Sequence, residues 1–133
     1  MLQVAVLESH TIVRQSIKSI FEGNSEIRVA GEAGYADALF RMLARSRFDV
    51  VMLSVNIPGD TSPVDVVRRI RSEYPPLKIL AVANEGTAPT VRAMMKAGIN
   101  GFIGKRQANR AELEKAIRAV AAGEQYTGKV EHC

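Results

Sequence analysis

Val50-Val51-Met52-Leu53-Ser54-Val55-Asn56-Ile57-Pro58-Gly59 is the stretch on which the fold turns. Its leading apolar residues are too few for a helix and run into a turn-forming Asn-x-Pro-Gly, which reads as a short strand over Val50–Ser54. Near-continuous hydrophobicity suits a strand covered on both faces, as in a parallel sheet. Outward from it, short apolar strands recur at Leu2–Leu7, Ile27–Ala33, Ile79–Ala83 and Gly101–Gly104. Between the strands the apolar residues change to three- and four-residue spacing. Val13, Ile17, Ile20 and Phe21 mark one helix face, Leu39, Met42 and Leu43 another, and Leu113, Ile117 and Val120 the last. Ser62-Pro63 followed by Asp65 opens the third helix, and Asn109 with Glu112 makes a capping box for the fifth. Gly98 and Gly123 stand where helix ends favour positive φ. Five strand–helix repeats, joined by short turns and right-handed crossovers, predict an α/β fold with a doubly wound parallel sheet of strand order 2-1-3-4-5.

A chain of 133 residues suits one domain with one core. Apolar residues make up 47%, but no run approaches the ~18 that a membrane span needs, so no membrane association is expected. The N-terminus enters a strand directly, without the basic-then-apolar layout of a signal peptide, and the expected location is the cytoplasm. Cys133 is the only cysteine and has no partner for an internal disulfide. Eighteen basic against fourteen acidic side chains give a net charge of +4. The basic residues are scattered among acids, which reads as a solvated mixed surface and not as a nucleic-acid stripe. No repeat or low-complexity tract appears. After Gly123 the pattern fades, so the domain is expected over residues 1–125, with 126–133 as a tail or the start of a linker.

In such a sheet the site lies beyond the C-terminal ends of the strands, where the first and third diverge. Glu8, Ser9, Ser54, Asn56, Ala83 and Lys105 are delivered there. With Glu8-Ser9-His10 after the first strand, Ser54 and the Asn-x-Pro-Gly loop after the third, and Lys105 after the last, the chain resembles the receiver domain of two-component response regulators. The resemblance runs from Leu2 to about Tyr126. Val29-Ala30-Gly31-Glu32-Ala33 and Ala116-Ile117-Arg118-Ala119-Val120-Ala121-Ala122-Gly123 are phrased most like the NarL/FixJ subfamily. It implies a (βα)5 fold of the flavodoxin-like, CheY-like kind. It also implies a pocket where an aspartate takes a phosphoryl group from a histidine kinase. Further carboxylates there hold Mg²⁺, a hydroxyl follows the phosphoryl group and a lysine neutralises it. The expected partners are a second copy in a homodimer and a histidine kinase or other regulator. DNA is expected only through a C-terminal helix-turn-helix that this chain does not include.

Position by position, most of those parts are missing. Glu8 stands where the first of two acidic residues is usual, and Ser9 replaces the second. Ser54 replaces the phosphoacceptor, and Ala83 stands where a Thr or Ser hydroxyl is usual. Phe102 fills the place of the aromatic switch residue without a phenolic oxygen. Lys105 is the expected lysine, and Asn56 can still offer its backbone carbonyl. The expectation is therefore a pseudo-receiver with a vestigial pocket. It has no catalytic residue, no metal site, no cofactor and no enzymatic activity, and Mg²⁺ binding is lost or weak. No nucleophile–base pair, glycine-rich phosphate loop or metal cluster is visible in the sequence. The alternative is a stand-alone adaptor that docks on a kinase or another regulator without binding DNA. Several residues also have simpler roles: Ser9 as a helix N-cap, Ser54 as a small, locally hydrogen-bonded residue, His10 as structural, and Glu85 as solvated. Lys105 is the exception, because a partly buried ammonium needs a partner. Glu8 is the only carboxylate the resemblance puts near it, and one acid against one lysine leaves little electrostatic demand for a metal.

Overall fold

The computed structural model describes residues 1–57, 61–84 and 86–128. Strands Leu2–Leu7 (β1), Ile27–Ala33 (β2), Val50–Ser54 (β3), Lys78–Ala83 (β4), Gly101–Gly104 (β5) and Tyr126–Thr127 (β6) alternate with helices. The helices are Thr11–Ile20 (α1), Ala36–Arg45 (α2), Pro63–Glu73 (α3), Ala88–Ala97 (α4) and Arg110–Ala121 (α5), with a 3₁₀ turn at Lys105–Gln107. Every strand pair is parallel and the order is β2-β1-β3-β4-β5-β6. The doubly wound 2-1-3-4-5 arrangement is thus present. Pro58, Gly59 and Glu85 lie outside the described residues.

The reading of residues 126–133 as a tail needs correction over its first two residues. Tyr126 and Thr127 pair with Gly101 and Phe102 as an added edge strand, and the Gly128 amide donates to the Phe102 carbonyl at 2.8 Å. Two residues carry too little periodicity to be read as a strand. Contacts distant in sequence hold them instead. The Tyr126 hydroxyl donates to Glu112 Oε2 at 2.5 Å, and this bond, with burial and the nearby charge, raises the phenol's pKa. Gly101 is needed for the close approach, since a Cβ there would lie 2.6 Å from the Tyr126 carbonyl oxygen.

The two-residue alternation along the strands divides the core into two layers. Val4, Val6, Val50, Met52, Leu80, Val82 and Ile103 face α1 and α5, meeting Ile17, Phe21, Leu113, Ile117 and Val120. Ala5, Leu7, Val51, Leu53, Ile79, Ala81 and Ala83 face the other side, meeting Leu39, Phe40, Leu43, Val66, Val67, Ile70, Val91 and Met94 from α2, α3 and α4. By the same alternation Glu8 and Ser54 continue the α1/α5 side and Ala83 the opposite one. Ser62 Oγ accepts from the Val64 amide at 3.1 Å and Asn109 Oδ1 from the Glu112 amide at 2.9 Å, as the sequence implies. The capping box at Asn109 is only half formed, however: the Asn109 amide donates to the Gln107 carbonyl, and the Glu112 carboxylate accepts from Tyr126 instead. Gly98 and Gly123 take φ of 121° and 87°.

At the N-terminal edge of β4 and β5, Arg71 braces α3 against the end of α4. Its Nε donates to the Gly98 carbonyl at 2.7 Å and its Nη2 to Asn100 Oδ1 at 2.5 Å. Nη1 donates to the Pro75 and Leu77 carbonyls. Asn100 Oδ1 also accepts from the Ile79 amide at 2.8 Å, tying the brace into β4. Gly98 is required twice over, by its positive φ and because a Cβ would sit 3.0 Å from Arg71 Nε. Burial lowers the pKa of the Arg71 guanidinium.

Candidate functional site

Glu8 directly follows β1, Ser54 ends β3 and Lys105 begins the turn after β5, so one edge of the α1/α5 layer collects these three residues. Glu8 and Ser54 are the buried polar residues among those described, at 3% and 5% exposure. A buried carboxylate must be compensated, and Glu8 is compensated on both oxygens. Oε2 accepts from the His10 amide at 2.8 Å and, more loosely, from Ser9 Oγ at 3.4 Å, and it lies 3.1 Å from His10 Nδ1. Oε1 faces Lys105 Nζ at 3.5 Å. Burial opposes ionisation of Glu8, but the His10 amide, the His10 ring and Lys105 outweigh it. Together they hold the carboxyl below its ordinary value of 4.5.

Ser54 is engaged locally. Its Oγ accepts from the Asn56 amide at 3.3 Å and donates to the Asn56 carbonyl at 3.4 Å. Both bonds are long, yet they occupy the hydroxyl and part of the Asn56 carbonyl that a metal would use. Ala83 is buried and Phe102 half-buried, both against the α2–α4 side of the core, so neither presents a polar group to Glu8 or Ser54. The structure thus joins Glu8, Ser9, His10 and Lys105 in one cluster. Ser54 and Asn56 form a separate two-residue turn on the neighbouring strand.

One local expectation is corrected. Ser9 does not cap α1: the N-cap residue is His10, and no side chain caps it. The Ser9 hydroxyl turns to the Glu8 carboxylate, which itself takes the His10 amide. The carboxylate is the stronger acceptor and wins the competition at this turn. A second contributor escaped the sequence reading. Arg14, one turn into α1, donates from Nη1 to the Glu8 and Ser9 carbonyls at 2.8 and 3.3 Å while its Nε reaches Glu32 at 3.4 Å. It fixes the loop backbone that aims Glu8 inward. Its four-residue spacing from His10 is the only trace this leaves in the sequence.

Mg²⁺ demands near-octahedral oxygen coordination. The donors here are one carboxylate already engaged by four groups, a hydroxyl and a shared carbonyl, with an ammonium 3.5 Å from the carboxylate. Among the described residues no group of three His, Cys, Asp or Glu converges. This donor set does not fit the metal.

The family profile for the response regulator receiver domain matches residues 4–118. Among curated proteins, the response regulator UvrY of Escherichia coli K12 is 29% identical over 126 residues, which cover 95% of this chain and 57% of UvrY. The chain therefore spans little more than half the length of that relative. Among solved structures, the non-phosphorylated receiver domain of the stress response regulator RcsB from Escherichia coli superposes with a TM-score of 0.86 at 24% identity, covering 96% and 98% of the two chains. A structure of two RcsB dimers bound to two parallel DNAs gives a TM-score of 0.84 at 24% identity, covering 95% of this chain and 63% of that one. No helix among the described residues is long and apolar enough to cross a membrane.

Proposed function

This chain belongs to the response regulator receiver domain family, and from that premise we propose that it is a pseudo-receiver, a signalling domain that works without accepting a phosphoryl group. The observation that carries this reading is the state of Ser54. A hydroxyl cannot form an acyl phosphate, and as a nucleophile it needs an adjacent base. The hydrogen bonds of Ser54 run instead to the Asn56 backbone. The Glu8 carboxylate that would help to hold Mg²⁺ is closed on His10 and Lys105. Ala83 offers no hydroxyl to a phosphoryl group, and Phe102 no phenol to report one. The domain is non-enzymatic, takes no cofactor and acts in the cytoplasm as the regulatory and dimerisation module of a transcription regulator. DNA is contacted by a helix-turn-helix outside these residues. The dimeric, DNA-bound form of its structural neighbour RcsB supports that assignment, as does the greater length of UvrY.

The test uses sedimentation velocity over a range of concentrations, with and without beryllofluoride and Mg²⁺. A homodimer whose population is the same in both conditions is expected. A shift of the equilibrium by the phosphoryl mimic would contradict the reading, and a monomer at every concentration would remove the dimer from it.

A further inference from the structure

Between α1 and α5 lies an apolar cleft of about 230 Å³ that shares only Lys105 with the pocket residues. Val13, Ile17 and Ile20 form one wall, Leu113 and Ala108 the other, and Met52 and Val82 the floor. Ser16 also lines it, but its hydroxyl donates to the Ile12 carbonyl at 2.9 Å, within its own helix. Lys105 is the one charged residue in the lining. Its side chain is 35% exposed, and among the described residues its ammonium has the Glu8 contact at 3.5 Å and no hydrogen bond. The ammonium thus stands in the lining of an apolar cleft, facing Glu8 on one side with donors left for a second partner.

We infer that this cleft is a binding site for a small organic monocarboxylate, the anion on Lys105 and a hydrocarbon body along the α1/α5 walls. The combination of an apolar enclosure with one converging polar group is the usual chemistry of a small-molecule site. Size follows from volume: at about 30 Å³ per water-sized group the cleft takes roughly eight heavy atoms. Charge follows from the neighbours. Glu8, 3.5 Å from the ammonium, offsets most of its charge, so a single carboxylate is accepted through hydrogen bonds to the ammonium while phosphates and dicarboxylates are disfavoured. A ligand of this size binds at about millimolar strength. The inference rests on the pseudo-receiver reading in one respect, since Lys105 can serve this anion only where no phosphoryl group occupies the pocket; the apolar walls are independent of it.

Hexanoate, with 1-hexanol and hexylamine as neutral and cationic controls, tests it by titration into the isotopically labelled chain, followed by amide NMR. Saturable shifts are expected for hexanoate along α1, α5 and the Lys105 turn. Hexanol should bind about tenfold more weakly, and hexylamine more weakly still. Lys105→Met should bring hexanoate down to the level of hexanol. Ala108→Phe, which fills the cleft and leaves Lys105 in place, should weaken both by about tenfold with the amide spectrum otherwise retained. Non-saturable shifts, shifts centred elsewhere, equal binding of hexanoate and hexanol, or full binding by Ala108→Phe would each overturn the assignment. A chain that fails to bind hexanoate yet also refuses phosphorylation would remove the cleft site alone.

Discussion

Two cations are drawn partly into this fold at opposite edges of the sheet, and they are held in opposite ways. Arg71 meets no carboxylate. Its guanidinium spends its donors on the carbonyls of Gly98, Pro75 and Leu77 and on Asn100, at the junction of α3, α4, β4 and β5. Lys105 meets one carboxylate at 3.5 Å and, among the described residues, makes no hydrogen bond. The planar fork of arginine turns neutral acceptors into a rigid joint, whereas an ammonium balanced by a nearby acid settles a charge without fixing a position. The first edge is a structural brace. The second sets one acid against one lysine beside an open cleft, at the C-terminal ends of the strands.

Breaking the brace should have the largest effect. Arg71→Met leaves the partly buried Gly98 and Leu77 carbonyls without this donor, and a loss of about 3 kcal/mol in urea unfolding is expected. Arg71→Lys should recover only a minor part, because three donors on a flexible stem cannot reproduce the fork. Full stability in the lysine variant would show that charge, not geometry, matters at this edge.

At the Lys105 edge the expected loss is smaller, because the lysine is partly solvated. Glu8→Gln should cost about 1–2 kcal/mol, discounted for that exposure. Adding Lys105→Met should recover most of it, since the stranded ammonium is then gone. A double variant no better than Glu8→Gln alone would mean that the pair is not what stabilises this edge. The same pair sets a pH dependence. The folded state holds Glu8 below its ordinary 4.5, so it contributes stability above about that pH and loses it as the pH falls further and the carboxyl protonates in the folded state. Chemical denaturation from pH 6 to pH 3 should show Glu8→Gln declining less steeply than the parent chain.

Much of this comparison was hidden from the sequence. The sheet order, the caps at Ser62 and Asn109 and the positive-φ glycines are local or periodic, and residues a few positions apart announce them. The residues of the pocket edge were also legible, because strand ends in a doubly wound sheet deliver them. The Arg71 brace joins residues 27 and 29 positions apart, and a helical arginine near a turn carries no mark of that role. The strand at Tyr126 owes its existence to the space above Gly101 and to the Glu112 bond, not to any pattern of its own. Ser9 was misread because residue type signals a cap, while the competing Glu8 carboxylate becomes visible only once the loop is folded.

A smaller effect calibrates the ordinary helix ends that neither cation touches. Asn109→Ala removes the acceptor for the Glu112 amide and should cost about 1 kcal/mol, read from the same unfolding curves. A much larger loss would show that the cap also supports β6 through Glu112 and Tyr126.

The smallest expected effect is none at all. The intact mass of the chain, incubated with acetyl phosphate and Mg²⁺, should stay that of the unmodified protein, and Ser54→Asp alone should not restore normal metal-dependent phosphorylation while Ser9 and Ala83 remain. Stoichiometric gain of one phosphoryl group by the parent chain, lost in Ser54→Ala, would contradict the account and return this pocket to the working receivers.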